Sequence, residues 1–176
     1  MILLDFVGEW FYIKVTVLEM FKYTELLLLF MDTQIIELLG RNILITRLLR
    51  ADLEVAIPQR DKGIDLIMYV DKERFHAIPI QMKASIGEMF SLDAKYAKFP
   101  TMIIAYVWHV DNANLTETYF LTYDEAFSIA EQMRWTTTAS WKKGNYVTTN
   151  PSKKLMGLLE PYKMNTSKLR TLFNSV

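Results

Sequence analysis

Apolar and polar residues alternate along residues 32–51 with the spacing of an amphipathic α-helix. The apolar residues share one arc: Leu38, Leu44, Ile45, Leu48 and Leu49. The opposite arc is polar and consists of Asn42, Thr46, Arg47 and Arg50. Asp32 or Thr33 can cap the first turn through a side-chain oxygen. The pattern therefore predicts a surface helix that begins after this cap and ends near Ala51.

Three extended segments follow this helix. The first, 54–57, ends at Pro58, and the polar stretch that comes next predicts a loop. Segments 64–70 and 76–83 predict a β-hairpin whose strands are joined by a charged loop. If Val70 faces His76 across this hairpin, Asp65 stands opposite Gln81.

The second half of the chain continues the alternation of helices and strands. Ser91 is predicted to open a helix that runs to about Phe99. Segment 101–108 is an almost unbroken apolar run, which is typical of a fully buried strand. A further strand at 118–121 leads into a capping-box pattern, Thr122-Tyr-Asp-Glu125, and a helix to about Trp135. This order predicts an α/β fold with a single mixed sheet of about five strands flanked by helices.

Length and composition set the domain organisation. The chain has 176 residues, 51% of them hydrophobic, which is enough for one substantial core. We expect an α/β core at 31–135, an N-terminal element of uncertain structure at 1–30, and a basic extension at 136–176 that packs on the core. The absence of cysteine excludes a disulfide framework and a thiolate metal site, and it favours a cytoplasmic location. Charged residues interrupt the apolar N-terminal stretch well short of a membrane span, so no membrane partner is expected.

Charge is unevenly distributed along a chain whose formal net charge is +0. From Ala139 onward, seven basic residues and Glu160 alone give a charge of +6, which leaves −6 for the rest. A basic tail beside an acidic body is compatible with nucleic-acid binding, although a solvated face of lysines explains it equally well. The candidate contacts combine basic and aromatic side chains: Lys95, Lys98, Trp141, Lys142 and Lys143.

The predicted hairpin carries three polar residues that suggest chemistry. Gln81 and Lys83 project from the same side of the second strand, because side chains alternate along a strand. Burying them with Asp65 between apolar strands is costly without a purpose. Carboxylate and amide oxygens are hard ligands that suit Mg²⁺. A lysine beside them can position or deprotonate an attacking water, or offset charge in the transition state.

Two sequence segments resemble the PD-(D/E)XK, or restriction-endonuclease-like, superfamily. They are Gly63-Ile-Asp65-Leu and Ile78-Pro-Ile-Gln81-Met-Lys83-Ala-Ser85, and the resemblance extends over roughly 33–134. It implies a DNA endonuclease that uses Mg²⁺, or Mn²⁺ as a substitute. The implied metal ligands are Asp65, Gln81 and the Met82 carbonyl, with Lys83 as the catalytic lysine. Members of the superfamily often add a glutamate from the first helix, for which Glu37 is the candidate.

Several expectations remain open at this level. Glu37 has an alternative role in an ion pair with Arg41 one helical turn away. Gln81 replaces the usual acidic residue and removes one negative charge from the metal site, and Pro79 predicts a bulge or an unpaired position in the strand. The chain could instead be a nuclease-fold module without activity that binds nucleic acid or a protein, or a nuclease for RNA or branched DNA. A homodimer is compatible with cutting both DNA strands.

Overall fold

A computed structural model of the chain describes residues 32–60, 62–71 and 75–171. The chain divides into two units, residues 1–35 and residues 36–176. The N-terminal element predicted at 1–30 lies outside the described residues. The strands and the candidate site lie in the second unit.

The predicted first helix, α1, spans Thr33–Leu49. Asp32 caps it, because its Oδ1 atom accepts a hydrogen bond of 3.1 Å from the backbone N–H of Gln34. The buried residues of α1 are Gly40, Leu44 and Leu48. Leu38 and Leu49 were predicted to face inward, but they are 53% and 50% exposed. The packed arc of the helix is therefore narrower than the sequence pattern indicates.

Seven strands follow in the described residues. They are β1 Glu54–Ala56, β2 Leu66–Asp71, β3 Phe75–Ala84, β4 Phe90–Asp93, β5 Ile103–Trp108, β6 Glu117–Thr122 and β7 Asn145–Thr148. Five of them form one sheet in the order β1-β2-β3-β5-β6, and β4 pairs with β7 in a separate two-stranded sheet. Within the larger sheet β3 and β5 are parallel and the other neighbours are antiparallel. The expectation of an α/β fold with a mixed sheet of five strands flanked by helices is confirmed.

The β2–β3 hairpin has the predicted register. Val70 pairs with His76, and the pairing continues without a shift to Leu66 and Ile80. Pro79 keeps its place opposite Ile67 in this ladder, so the bulge predicted there is absent from the paired residues. Pairing of β3 with β5 begins only at Ile80. Pro79, which has no backbone N–H to donate, therefore lies just outside the parallel ladder.

The segment between β3 and β5 differs from the sequence prediction. The helix predicted from Ser91 to Phe99 is instead strand β4 followed by a 3₁₀ helix at Ala94–Lys98. The reason is tertiary: β4 pairs with β7 along its whole length, from Phe90 opposite Thr148 to Asp93 opposite Asn145. A partner strand far along the chain thus outweighs the local helical pattern.

The second long helix, α2, spans Tyr123–Gln132 and begins at the predicted capping box. Thr122 Oγ1 accepts from the Glu125 N–H at 3.3 Å, and Glu125 Oε2 accepts from the Thr122 N–H at 2.7 Å. The helix ends three residues before the predicted Trp135, because Arg134 adopts a left-handed backbone conformation with φ of 61°. Three shorter helices follow: α3 Ala139–Lys142, α4 Lys153–Leu159 and α5 Thr166–Thr171.

The large sheet packs on both faces. On one face, Ile80 and Met82 of β3 lie in a cluster with Leu44 and Leu48 of α1. The other face of the sheet packs with β4, α2 and α4 in a second cluster rich in aromatic side chains. Between the two, all six residues of β5 are buried, as the apolar run predicts. In the described part of the chain, no helix is long and apolar enough to cross a membrane.

Candidate functional site

Asp65 lies just before β2 with its carboxylate turned toward β3. The residue is only 8% exposed. Its Oδ2 atom accepts two short hydrogen bonds, one from Gln81 Nε2 and one from the Met82 N–H, each of 2.6 Å. The Asp65 N–H donates to the carbonyl of Ile80 at 2.8 Å. The structure therefore brings Asp65, Gln81 and the Met82 backbone into direct contact.

The Gln81 side chain is buried and only partly satisfied. Its Nε2 atom donates to Asp65 and also to the Met82 carbonyl, at 3.1 Å. Its Oε1 atom is buried and has no hydrogen-bond partner among the described residues. Leaving a buried acceptor unpaired costs about 1–3 kcal/mol, so this oxygen is available to accept from a water or to bind a cation.

Gly63 forms one wall next to this amide. Its φ of +91° is a conformation that favours glycine. A Cβ at this position would lie 3.4 Å from Tyr96 Cε1 and 3.9 Å from Gln81 Oε1. Because glycine has no side chain, a space remains beside the unsatisfied Gln81 Oε1 atom. A larger residue at position 63 would fill this space.

Lys83 projects from the same face of β3 as Gln81, since the two are separated by one residue of the strand. Its Nζ atom lies 3.3 Å from Asp93 Oδ2 and 5.4 Å from the centroid of the Tyr96 ring. Both the Lys83 and the Asp93 side chains are 21% exposed. Tyr96 therefore borders both the amide and the amine, and Asp93 restrains the amine.

Asp93 and Tyr96 were missed by the sequence analysis. Both lay within the helix predicted from Ser91, where Asp93 had no relation to the hairpin. The alternation of buried Phe90 and Leu92 is the one local sign that this segment is a strand. The hydroxyl of Tyr106 on β5 donates to the Ser91 carbonyl at 2.7 Å, and this hydrogen bond links β4 to the large sheet. Burial, with further contributions from Asp93 and Tyr96, raises the pKa of Tyr106, so this hydroxyl stays a donor.

Glu37 is not brought to the other candidates. Its Oε1 atom lies 3.0 Å from Arg41 Nη2, and its side chain is exposed. The helix that carries it packs on the sheet face of Met82 and Ala84, where a Cβ on Gly40 would lie 2.5 Å from Ala84 Cβ. Because Gln81 and Lys83 project from the opposite face, the structure favours the ion pair with Arg41 for Glu37.

The predicted nucleic-acid contacts fall into two groups. Trp141 is half-buried and packs on Phe127, with ring centroids 5.6 Å apart, so it belongs to the fold. The four lysines are exposed: Lys95, Lys98, Lys142 and Lys143. The turn after Lys143 approaches the end of β4, where the Gly144 carbonyl accepts from the Ala94 N–H at 2.8 Å. This contact brings the segments of Lys95 and Lys143 together beside Asp93.

Other basic residues of the extension have intramolecular partners. Lys154 donates to the Gln132 carbonyl at 2.6 Å, Lys163 pairs with Glu117, and Arg170 lies 3.5 Å from Asp52. Lys168 donates to the carbonyls of two residues in the same segment. Much of the positive charge predicted for this part of the chain therefore serves the fold.

The donor set suits a cation that uses few protein ligands. Within the described ranges, no three His, Cys, Asp or Glu residues lie close enough to hold a metal ion. Asp65, the Gln81 amide and the Met82 carbonyl supply oxygen, which Mg²⁺ prefers while keeping several waters. The unsatisfied Gln81 Oε1 and the space left by Gly63 fit such an ion if the amide rotates so that Oε1, and not Nε2, faces Asp65 and the Met82 carbonyl.

Comparison of the chain with protein-family models, with curated proteins and with solved structures finds no match in any of the three.

Proposed function

We propose that the chain is a Mg²⁺-dependent endonuclease that hydrolyses phosphodiester bonds of DNA. The observation that carries this proposal is the buried Asp65 carboxylate in contact with Gln81, whose Oε1 atom is unsatisfied, with Lys83 on the same face of β3. The motif resemblance to PD-(D/E)XK nucleases, in the order Asp65, Gln81, Lys83, supports the same assignment.

Asp65, Gln81 and the Met82 carbonyl would hold the ion. When bound, the ion supplies positive charge that polarises a phosphoryl oxygen and acidifies a coordinated water. The Gln81 Nε2 atom donates to both Asp65 Oδ2 and the Met82 carbonyl. This amide donor occupies the acceptors that a cation needs, so we expect weaker ion binding than in a site with two carboxylates.

Lys83 contributes a positioned amine. Asp93 and the Tyr96 ring border its Nζ atom, which limits the conformations of an otherwise flexible side chain. From this place the amine orients the attacking water and offsets negative charge that develops on the phosphoryl group. Asp93 acts through Lys83 and is a positioning residue.

Exposed lysines beside the site suit a polyanionic substrate. Lys95 follows Asp93 in the chain, and the turn after Lys142 and Lys143 contacts the same segment through Gly144. Lysines of this kind bind phosphates without sequence preference and raise the rate of encounter.

The direct test is cleavage by Asp65→Asn, which keeps the side-chain shape and removes its charge. We expect loss of saturable Mn²⁺ binding together with a fall in Mg²⁺-dependent plasmid cleavage of about 10³-fold or more, since several kcal/mol of charge stabilisation are lost. Asp71→Asn, an exposed position at the end of β2, is the matched control and should behave like wild type. Wild-type cleavage by folded Asp65→Asn would refute the proposal.

The second candidate is a module of this fold that binds nucleic acid or a protein without cleaving it. The single carboxylate in contact with Gln81 favours it, because a site with less negative charge holds metal less well. Mn²⁺ titration separates the two, since Asp65-dependent saturable binding is expected only of the enzyme. A substrate panel of duplex, nicked, branched and single-stranded DNA and of RNA then tests the choice of DNA.

A further inference from the structure

A pocket of about 310 Å³ lies away from the candidate site, on the side of the edge strand β6. The end of α1 contributes Arg47 and Arg50, and the start of β6 contributes Glu117 and Thr118. The C-terminal segment closes it with residues 163–166 and Leu169. This segment is attached to β6, because the Met164 N–H donates to the Thr118 carbonyl at 2.8 Å.

Positive charge exceeds negative charge in the pocket lining. Arg47, Arg50 and Lys163 line it, and among the described lining residues Glu117 alone carries a carboxylate. That carboxylate is already engaged by Lys163 and by the Tyr119 hydroxyl, the latter at 2.5 Å. Burial acts to raise the pKa of Glu117, but the hydrogen bonds from Lys163 and Tyr119 outweigh it and hold the pKa below its usual value.

Neither arginine forms an ion pair with a carboxylate in the part of the chain that the structure describes. Arg47 is half-buried and donates to two neutral oxygens, Thr118 Oγ1 and, at 2.6 Å, the Thr116 carbonyl. Burial lowers the pKa of Arg47, and the charge of Glu117 opposes this effect. Arg50 is exposed, and its side chain makes no hydrogen bond or ion pair with the described residues. The partial negative charge at the C-terminus of α1 favours a cation at either arginine position. It does not explain why both arginines line the same pocket as Lys163.

We propose that this pocket binds a small phosphate-bearing ligand of the nucleoside monophosphate class. A guanidinium binds phosphate through parallel hydrogen bonds, and Arg47 and Arg50 supply two guanidinium groups at one wall. Thr166 and Asn165 add polar groups, while the half-buried Met164 offers apolar surface for a planar base. The volume lies at the lower end of the range for small-molecule sites.

The experiment uses the full chain and adenosine monophosphate as the probe. Backbone amide shifts of Thr118 and Asn165 report binding in the pocket, and calorimetry gives the affinity. Arg50→Gln should weaken binding about tenfold or more, the equivalent of one lost hydrogen bond to a charged group. Arg60→Gln, an exposed arginine in the loop before β2, is the matched control. Arg47→Lys should also weaken binding, and if it does not fold, the exposed Arg50 still decides the result.

Additional arms identify the ligand chemistry. Inorganic phosphate should bind more weakly at the same amides, and adenosine without phosphate should leave them unchanged. Asp65→Asn should bind adenosine monophosphate like wild type, so the result is independent of the proposed nuclease activity. Three outcomes would overturn the inference: no shift at millimolar ligand, equal effects of Arg50→Gln and Arg60→Gln, or shifts caused by oligonucleotides but not by the mononucleotide.

Discussion

The two faces of β3 differ in chemistry although they alternate along the same ten residues. Ile80 and Met82 lie in an apolar cluster with α1. The residues that follow them in the strand, Gln81 and Lys83, project from the opposite face. Gln81 contacts Asp65, and Lys83 contacts Asp93. One strand thus separates a face that stabilises the fold from a face that carries polar groups at a cost in stability. Substitutions on the two faces should therefore have different readouts.

The largest effect is expected at Lys83 on the polar face. Lys83→Ala should reduce DNA cleavage by roughly 10²–10⁴-fold, the usual cost of a lost proton-transfer or charge-stabilising group. Mn²⁺ binding should be unchanged or slightly tighter, because a neighbouring positive charge is removed. Single-turnover cleavage and calorimetry check the two halves of this prediction, with Lys153→Ala as the exposed control. Cleavage by Lys83→Ala at the wild-type rate would remove the lysine from the mechanism.

Substitutions on the apolar face should change the free energy of unfolding and leave Mn²⁺ binding unchanged. Leu48→Ala removes a fully buried side chain and should lower the free energy of unfolding by about 2–5 kcal/mol. Leu49→Ala, at the half-exposed neighbouring position, should lower it by less than about 0.5 kcal/mol. Urea unfolding measures both. If Leu48→Ala abolished Mn²⁺ binding while still folded, the separation of the two faces would be incorrect.

A smaller effect is expected from Gln81→Glu, which places two carboxylates in contact. Without metal their repulsion should lower the melting temperature. With Mn²⁺ the second carboxylate should tighten binding by about tenfold and reverse the destabilisation, since a ligand of the folded state stabilises it. Gln59→Glu adds the same charge at an exposed position and should do neither. Equal Mn²⁺ affinity in Gln81→Glu and wild type would exclude Gln81 as a ligand.

The smallest effects are expected at the rim of the polar face. Lys142→Glu and Lys143→Glu should each weaken DNA binding a few-fold and lower the slope of log affinity against log salt by about one. Lys153→Glu, an exposed lysine at the start of α4, serves as the control. Fluorescence anisotropy over a salt series provides the measurement. An unchanged slope would assign these lysines to solvation alone.

The parts of the fold that the sequence predicts are those governed by local patterns. Pairing of Val70 with His76 follows from the short loop between two strands, and the burial of β5 follows from its apolar run. The start of α2 follows from two side chains, Thr122 and Glu125, that bond each other's backbone. Each of these features depends on residues close together in the chain.

The features that escape prediction depend on distant partners. Asp93 meets Lys83 only because β4 is a strand, and β4 is a strand because it pairs with β7. The position of Glu37 depends on how α1 is rotated about its own axis, and the spacing of apolar residues does not fix that rotation to within a fraction of a turn. The close approach of Gly40 to Ala84 fixes that rotation, and no periodicity in either segment indicates it.

The pairing of β4 with β7 also affects the order in which parts of the fold can form during synthesis. A ribosome delivers β2, β3 and β4 before it delivers β7, so a nascent chain carries Lys83 and Asp93 while the strand opposite Asp93 is still unmade. The α1 side of the sheet also waits for later residues, because Leu169 of α5 belongs to the same apolar cluster as Leu44 and Leu48. Both faces of β3 are therefore completed only after the segment that follows β6 has been synthesised.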